Sequence, residues 1–109
     1  MTERFQHIVL FHFPEELSAE EEAELFAQVR RWPDEIDVEF LTLRIGRDVS
    51  GRARGYQYAL FSEFETEERM KAYQTHPVHL AFGAWVYDRA CEVLASDYVV
   101  DDDTRISGA

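Results

Sequence analysis

Residues Phe5 to Phe13 read FQHIVLFHF, and they are apolar on both faces of any strand they form. Phe5, His7, Val9, Phe11 and Phe13 project to one side; Gln6, Ile8, Leu10 and His12 project to the other. A run this rich in β-formers reads as a strand covered on both sides. The chain has 109 residues, enough for one domain. Its own helices can cover only one side of a sheet that small, so a second body must cover the other. An apolar residue on the partner-facing side, Phe11 for example, is expected to tolerate no charge.

The rest of the chain alternates strand and helix signals. Pro14 ends the first strand. Ser18 with Glu21 is a capping box, and acidic residues crowd the turn that follows, where the helix dipole favours them. Ala19, Ala23, Phe26 and Val29 or Arg30 recur at helical spacing, with Leu25 and Trp32 widening the stripe. Pro33 predicts a stop near Arg31. Val38 to Arg47 read as a second strand, and Tyr56 to Phe64 as a third. Between them lies a glycine-rich loop with Arg47, Arg52 and Arg54, read as solvated, with an anion contact as the minor alternative.

Thr66 is a plausible N-cap for a second helix that runs through Met70 and Tyr73 towards His76. Pro77 breaks it and suits the first turn of a third helix, with Leu80, Ala81, Ala84 and Trp85 at core spacing. Glu92 to Val99 returns to strand character. The order is β-α-β-β-α-α-β, a ferredoxin-like α+β plan with its second helix broken in two. One domain is expected over residues 1–100, with a polar C-terminal tail over 101–109.

Composition narrows the partners. Net charge is −11, from 22 acidic and 11 basic side chains, a field that argues against nucleic acid and anionic membrane surfaces. A solitary cysteine, Cys91, fits a cytoplasmic, reducing setting and reads as a small buried apolar residue. No secretory signal is expected at an N-terminus that enters a strand at once, and no apolar run approaches the ~20 residues needed to cross a bilayer. There is neither a G-x-G-x-x-G nor a P-loop, so no cofactor is expected. His76 and His79 stand three apart, but no third ligand follows at a recognisable spacing, so no metal is expected either.

The segment Tyr73-Gln74-Thr75-His76-Pro77-Val78-His79-Leu80-Ala81-Phe82 combines a tyrosine, His-Pro-x-His and a following aromatic. Together with HIVLFHF, RGYQYALFSEF and VLASDY, in that order from His7 to Tyr98, it resembles the stress-responsive A/B barrel (Dabb) domain family. The resemblance implies a homodimer whose two sheets meet face to face to close an α+β barrel. Members of that family include plant stress proteins, polyketide cyclases and bacterial proteins of unknown role.

In the cyclase branch, the residue matching His79 is a catalytic base and the one matching Tyr73 assists it. The resemblance therefore implies the same pair here: proton abstraction next to a carbonyl, with the Tyr73 hydroxyl steadying the oxyanion. An imidazole titrates near neutrality, which suits His79 to that work. A histidine after a helix break also often bonds a backbone carbonyl, the structural alternative.

His7 matches a cyclase histidine and would line the binding cavity; a hydrogen-bonded core histidine is its alternative. Tyr58 stands where the cyclases carry a histidine, a departure that puts an identical reaction in doubt. His76 reads as a helix cap, and His12 as structural or exposed. The function expected is a small dimeric barrel that binds a partly apolar molecule, with cofactor-free cyclase or lyase chemistry. The alternatives are a non-enzymatic stress-responsive dimer or a cofactor-free monooxygenase on the same plan.

Overall fold

The computed structural model describes residues 3–101. Residues 102–109, most of the segment read as a polar tail, lie outside the described residues. Seven elements follow one another: β1 (Arg4–His12), α1 (Ala19–Glu35), β2 (Thr42–Arg47), β3 (Tyr58–Phe64), α2 (Glu67–Gln74), α3 (Pro77–Tyr87) and β4 (Glu92–Val100). The strands form one antiparallel sheet in the order β2-β3-β1-β4, the ferredoxin-like arrangement expected from the element order.

β1 lies between β3 and β4, and its alternation decides both faces of the sheet. His7, Val9, Phe11 and Phe13 are buried beneath the helices. In register with them stand Ser62, Leu60 and Tyr58 on β3, and Asp97, Ala95 and Val93 on β4. Phe11 therefore belongs to the helix-covered core and not to the face open to a partner. The open face carries Ile8 and Leu10 of β1, in register with Phe61 and Ala59 on one side and with Ser96 and Leu94 on the other. Leu94 remains 53% exposed. Near one end of this face Glu63 accepts from Arg4, Gln6 and Thr42 at 3.1, 2.6 and 3.3 Å.

α1 starts at the capping box, with the Ser18 hydroxyl accepting from the Glu21 amide at 3.1 Å and the Glu21 carboxylate accepting from the Ser18 amide at 3.0 Å. Such a cap contributes about 1 kcal/mol. The helix does not stop at Arg31; it continues through Pro33 to Glu35. Pro33 has no N–H to donate, but the Ile36 amide donates to the Trp32 carbonyl at 2.8 Å and closes the last turn. Trp32 and Ile36, four residues apart, are both fully buried, and burying two such side chains offsets a proline penalty of about 3 kcal/mol. The buried stripe of α1 is Leu25, Val29 and Trp32, with Phe26 at its margin.

β2 is shorter than its apolar pattern suggests, because Val38 and Phe40 pack against the core from an irregular segment before it. β3 likewise begins at Tyr58 rather than Tyr56. In α3 the buried residues are Phe82 and Val86, with Val78 and Trp85 packed beside them; Leu80, Ala81 and Ala84 are exposed. The helix is apolar nearly all round, so helical spacing alone does not select its inner face. At its end Arg89 lies 3.8 Å from the Trp85 ring centroid, donates to the Trp85 carbonyl and reaches Glu21 of the α1 cap at 2.8 Å. Cys91 is buried, and burial pushes its thiol up to about 11.

Trp32 meets Tyr73, His79 and Phe82 at ring-centroid distances of 5.5, 5.6 and 4.9 Å, which makes it the junction of all three helices. Trp32→Ala is expected to cost about 3–5 kcal/mol. Urea unfolding of the variant and the native chain checks this; a loss under about 1 kcal/mol would show that the junction does not hold the helices.

Candidate functional site

Two histidines meet under α3. His7 is brought there by β1, and its neighbours at the same register position are Ser62 on β3 and Asp97 on β4. Side chains at matched positions of adjacent strands share a face, so the sheet lays a polar row, Ser62–His7–Asp97, across an otherwise apolar surface. His7 Nδ1 hydrogen-bonds Asp97 Oδ1, and Gln74 Nε2 donates to the other carboxylate oxygen at 3.4 Å.

The helices supply the other half. His76 caps α3, its Nδ1 accepting from the Val78 amide at 3.1 Å, and Pro77 occupies the first turn, where its missing N–H costs nothing. Thr66 caps α2, its hydroxyl accepting from the Arg69 amide. The break turns His79 back under the end of α2. There its Nδ1 lies 3.0 Å from the Gln74 carbonyl oxygen. A carbonyl only accepts, so Nδ1 carries the proton and Nε2 keeps its lone pair. Burial lowers the pKa of His79 below 6.5; the Gln74 bond opposes that shift and His7 adds to it.

Tyr73 is 0% exposed and lies between the two histidines, its ring centroid 4.4 Å from His79 and 5.9 Å from His7. Burial raises its phenol well above the ordinary value. The neighbouring Ser62 hydroxyl draws it partly back, although neither hydroxyl reaches a hydrogen bond of ordinary geometry. Both are buried polar groups with unspent hydrogen-bonding capacity.

A cavity of about 470 Å³ opens beside this cluster, within the range of small-molecule sites. Its sheet wall is Val9, Phe11, Val93 and Ala95, its helix wall Leu80, Gly83, Ala84 and Tyr87, and His7, Gln74 and His79 close its polar end. His79 thus has both a carbonyl partner and a cavity beside it. Tyr73 stands behind the two histidines, not on the wall.

Tyr58 is not part of this group. It sits opposite Phe11, at the far end of β3 from Ser62, with its ring against Phe13 and Phe26. Its hydroxyl accepts from Arg47 Nη2 at 3.1 Å, and its pKa is pushed up to about 12, by burial first and then by Glu22. Arg47 is held by Glu22 at 2.9 Å and Glu16 at 3.6 Å, which places this member of the basic loop on α1's acidic first turn. His12 faces the open side of the sheet, near Tyr56 and Glu92.

Asp97 is the site residue that sequence reading passed over. Its signal was present: along β4, Val93, Ala95 and Val99 share one face, and a carboxylate interrupts them at the position opposite His7. Among the described residues, no three His, Cys, Asp or Glu side chains are gathered closely enough to hold a metal ion, and no helix is long and apolar enough to cross a membrane.

Known structures share this architecture. A dimeric ferredoxin-like protein of unknown function from Thermobifida fusca superposes with a TM-score of 0.76 at 23% identity, covering 91% of this chain and 92% of its own. A hydroxynitrile lyase from Passiflora edulis superposes with a TM-score of 0.77 at 20% identity, covering 91% of this chain and 94% of its own. The solution structure of an Arabidopsis thaliana protein gives 0.76 at 27% identity, with 90% and 88% covered. No curated protein sequence matches the chain. The family model described as the stress responsive A/B barrel domain matches residues 5–100, nearly the whole described chain, and the protein therefore belongs to the Dabb family.

Proposed function

We propose that this chain forms a homodimeric barrel and binds a small, partly apolar molecule in the cavity under α3, with His79 as a general base. The observation that carries the reading is the state of His79. Its Nδ1 proton is committed to the Gln74 carbonyl, its low pKa keeps it neutral, and it closes the polar end of an apolar cavity. A neutral imidazole with one free lone pair can take a proton from a carbon next to a carbonyl, with no cofactor. The charge then developing on the carbonyl oxygen needs a donor. The family resemblance gives that task to Tyr73, which keeps its proton; fully buried and off the cavity wall, it acts here through the two histidine rings it touches, and His7, fixed by Asp97, is the wall group that orients the bound molecule. The Passiflora relative is named for lyase chemistry, a reaction class compatible with such a base. Tyr58, distant from the cavity, has no role in this proposal beyond holding Arg47.

A second reading, a binder without turnover, is favoured by one observation: Tyr73 is fully buried and stands off the cavity wall. Deuterium exchange separates the two. In heavy water, with benzoylacetone as probe, the native chain should exchange the α-protons faster than buffer does. His79→Ala should lose about 10²–10⁴-fold of that acceleration, and Tyr73→Phe only part of it. No acceleration by the native chain leaves the binder. The acceleration should fall as pH drops through a value below 6.5, because protonation removes the Nε2 lone pair.

The dimer rests on the open face of the sheet, where Ile8, Leu10, Phe61 and Leu94 form an apolar surface, and on the dimeric state given for the Thermobifida relative. Light scattering at micromolar concentration should give twice the mass of one chain. Leu10→Asp should give a folded monomer, because an unpaired carboxylate buried between two sheets costs several kcal/mol. A native chain that runs as a monomer overturns this part.

A further inference from the structure

Gly83 sits in the middle of α3, and its place is not explained by packing within the chain. Glycine is the poorest helix former after proline. Helical glycines usually admit a close neighbour, yet a Cβ built on Gly83 meets nothing within 4 Å. The open space over it is the cavity, whose helix wall it forms together with Ala84. Another small side chain, Ala95 of β4, lines the sheet wall of the same cavity. Small residues on both walls make the space a slot between helix and sheet. At its mouth stand Leu80 and Tyr87, one on either side of Gly83 along the helix and 58% and 62% exposed.

The charges are as informative as the shape. Among the described residues, no Lys or Arg lines the slot. At its polar end His7 is bound to the Asp97 carboxylate, and the chain as a whole carries −11. An anionic ligand would lose its hydration there and gain no counter-charge.

We propose that Gly83 is a specificity-determining position, and that the slot takes an uncharged, flat aromatic or conjugated molecule lying across Gly83 with its polar end toward His79. The inference rests on the reading of this cavity as a binding site and adds the class of molecule that fits it.

Fluorescence titration with phenylnaphthylamine, an uncharged flat probe, tests it, with acetylnaphthalene and its near-isosteric anion naphthoate as competitors. The native chain should bind the probe, and acetylnaphthalene should displace it at roughly tenfold lower concentration than naphthoate near neutral pH. Gly83→Leu should unfold no more readily than the native chain, remain a dimer and bind the probe at least about tenfold more weakly. Gly83→Ala, which adds one methyl group to open space, should melt higher and bind somewhat more weakly; it decides the matter if the leucine variant does not fold. Unchanged probe binding in both variants overturns the proposal, as does naphthoate competing as well as the ketone. A Gly83→Leu chain that dissociates while its probe binding is unchanged overturns it too, since the glycine would then serve a subunit contact. A native chain that binds no probe removes the binding site itself and this inference with it.

Discussion

Everything in this molecule is aligned by one strand held on both sides. β1 pairs along its length with β3 and β4, and the pairing fixes which residues stand shoulder to shoulder. A slip of one residue would turn the apolar rows over and bring Gln6 and Ile8 under the helices. It would also dissolve the polar row, because Ser62, His7 and Asp97 meet only in the observed register. The site is therefore a consequence of strand pairing before it is a consequence of loops. This differs from the common pattern in which a rigid scaffold carries its chemistry on variable connections.

The polar row has an energetic meaning. Burying hydroxyls without partners costs free energy, of order 1–3 kcal/mol each. Ser62 and Tyr73 are neighbours without a hydrogen bond of ordinary geometry, in a domain whose total stability is of order 5–15 kcal/mol. A phenylalanine and an alanine would pack with less penalty. Ser62 and Tyr73 both stand off the cavity wall, behind His7 and His79, and next to a histidine whose Nδ1 is held by the Gln74 carbonyl.

Much of this was legible in the residues. Strand alternation in FQHIVLFHF, the Ser18–Glu21 capping box and the His76-Pro77 break each follow from local chemistry, and each stands where that chemistry predicts. The misplacements share a cause. The end of α1, the inner face of α3 and the side of the sheet to which Phe11 belongs are decided by what packs against them, and a one-dimensional pattern does not contain the neighbours. Pro33 is the clearest case: a residue that ends helices in isolation is carried along because Trp32 and Ile36 anchor the turn around it. Tyr58 and Asp97 show the same limit at the site. Likeness to a cyclase position drew attention to the first, while only register reveals that the second touches His7.

The clamp at the end of α3 has a mechanical consequence. Arg89 ties the helix's last turn to the first turn of α1, and His76 caps the opposite end. A helix tied to its neighbour at one end and capped at the other frays less at both, while its exposed side chains rotate freely. Leu80 and Tyr87, exposed beside the cavity, can change rotamer without displacing that backbone. Rotamer flips of exposed side chains take picoseconds to nanoseconds, far less time than domains need to open, so the outer rim of the cavity changes shape much faster than its floor.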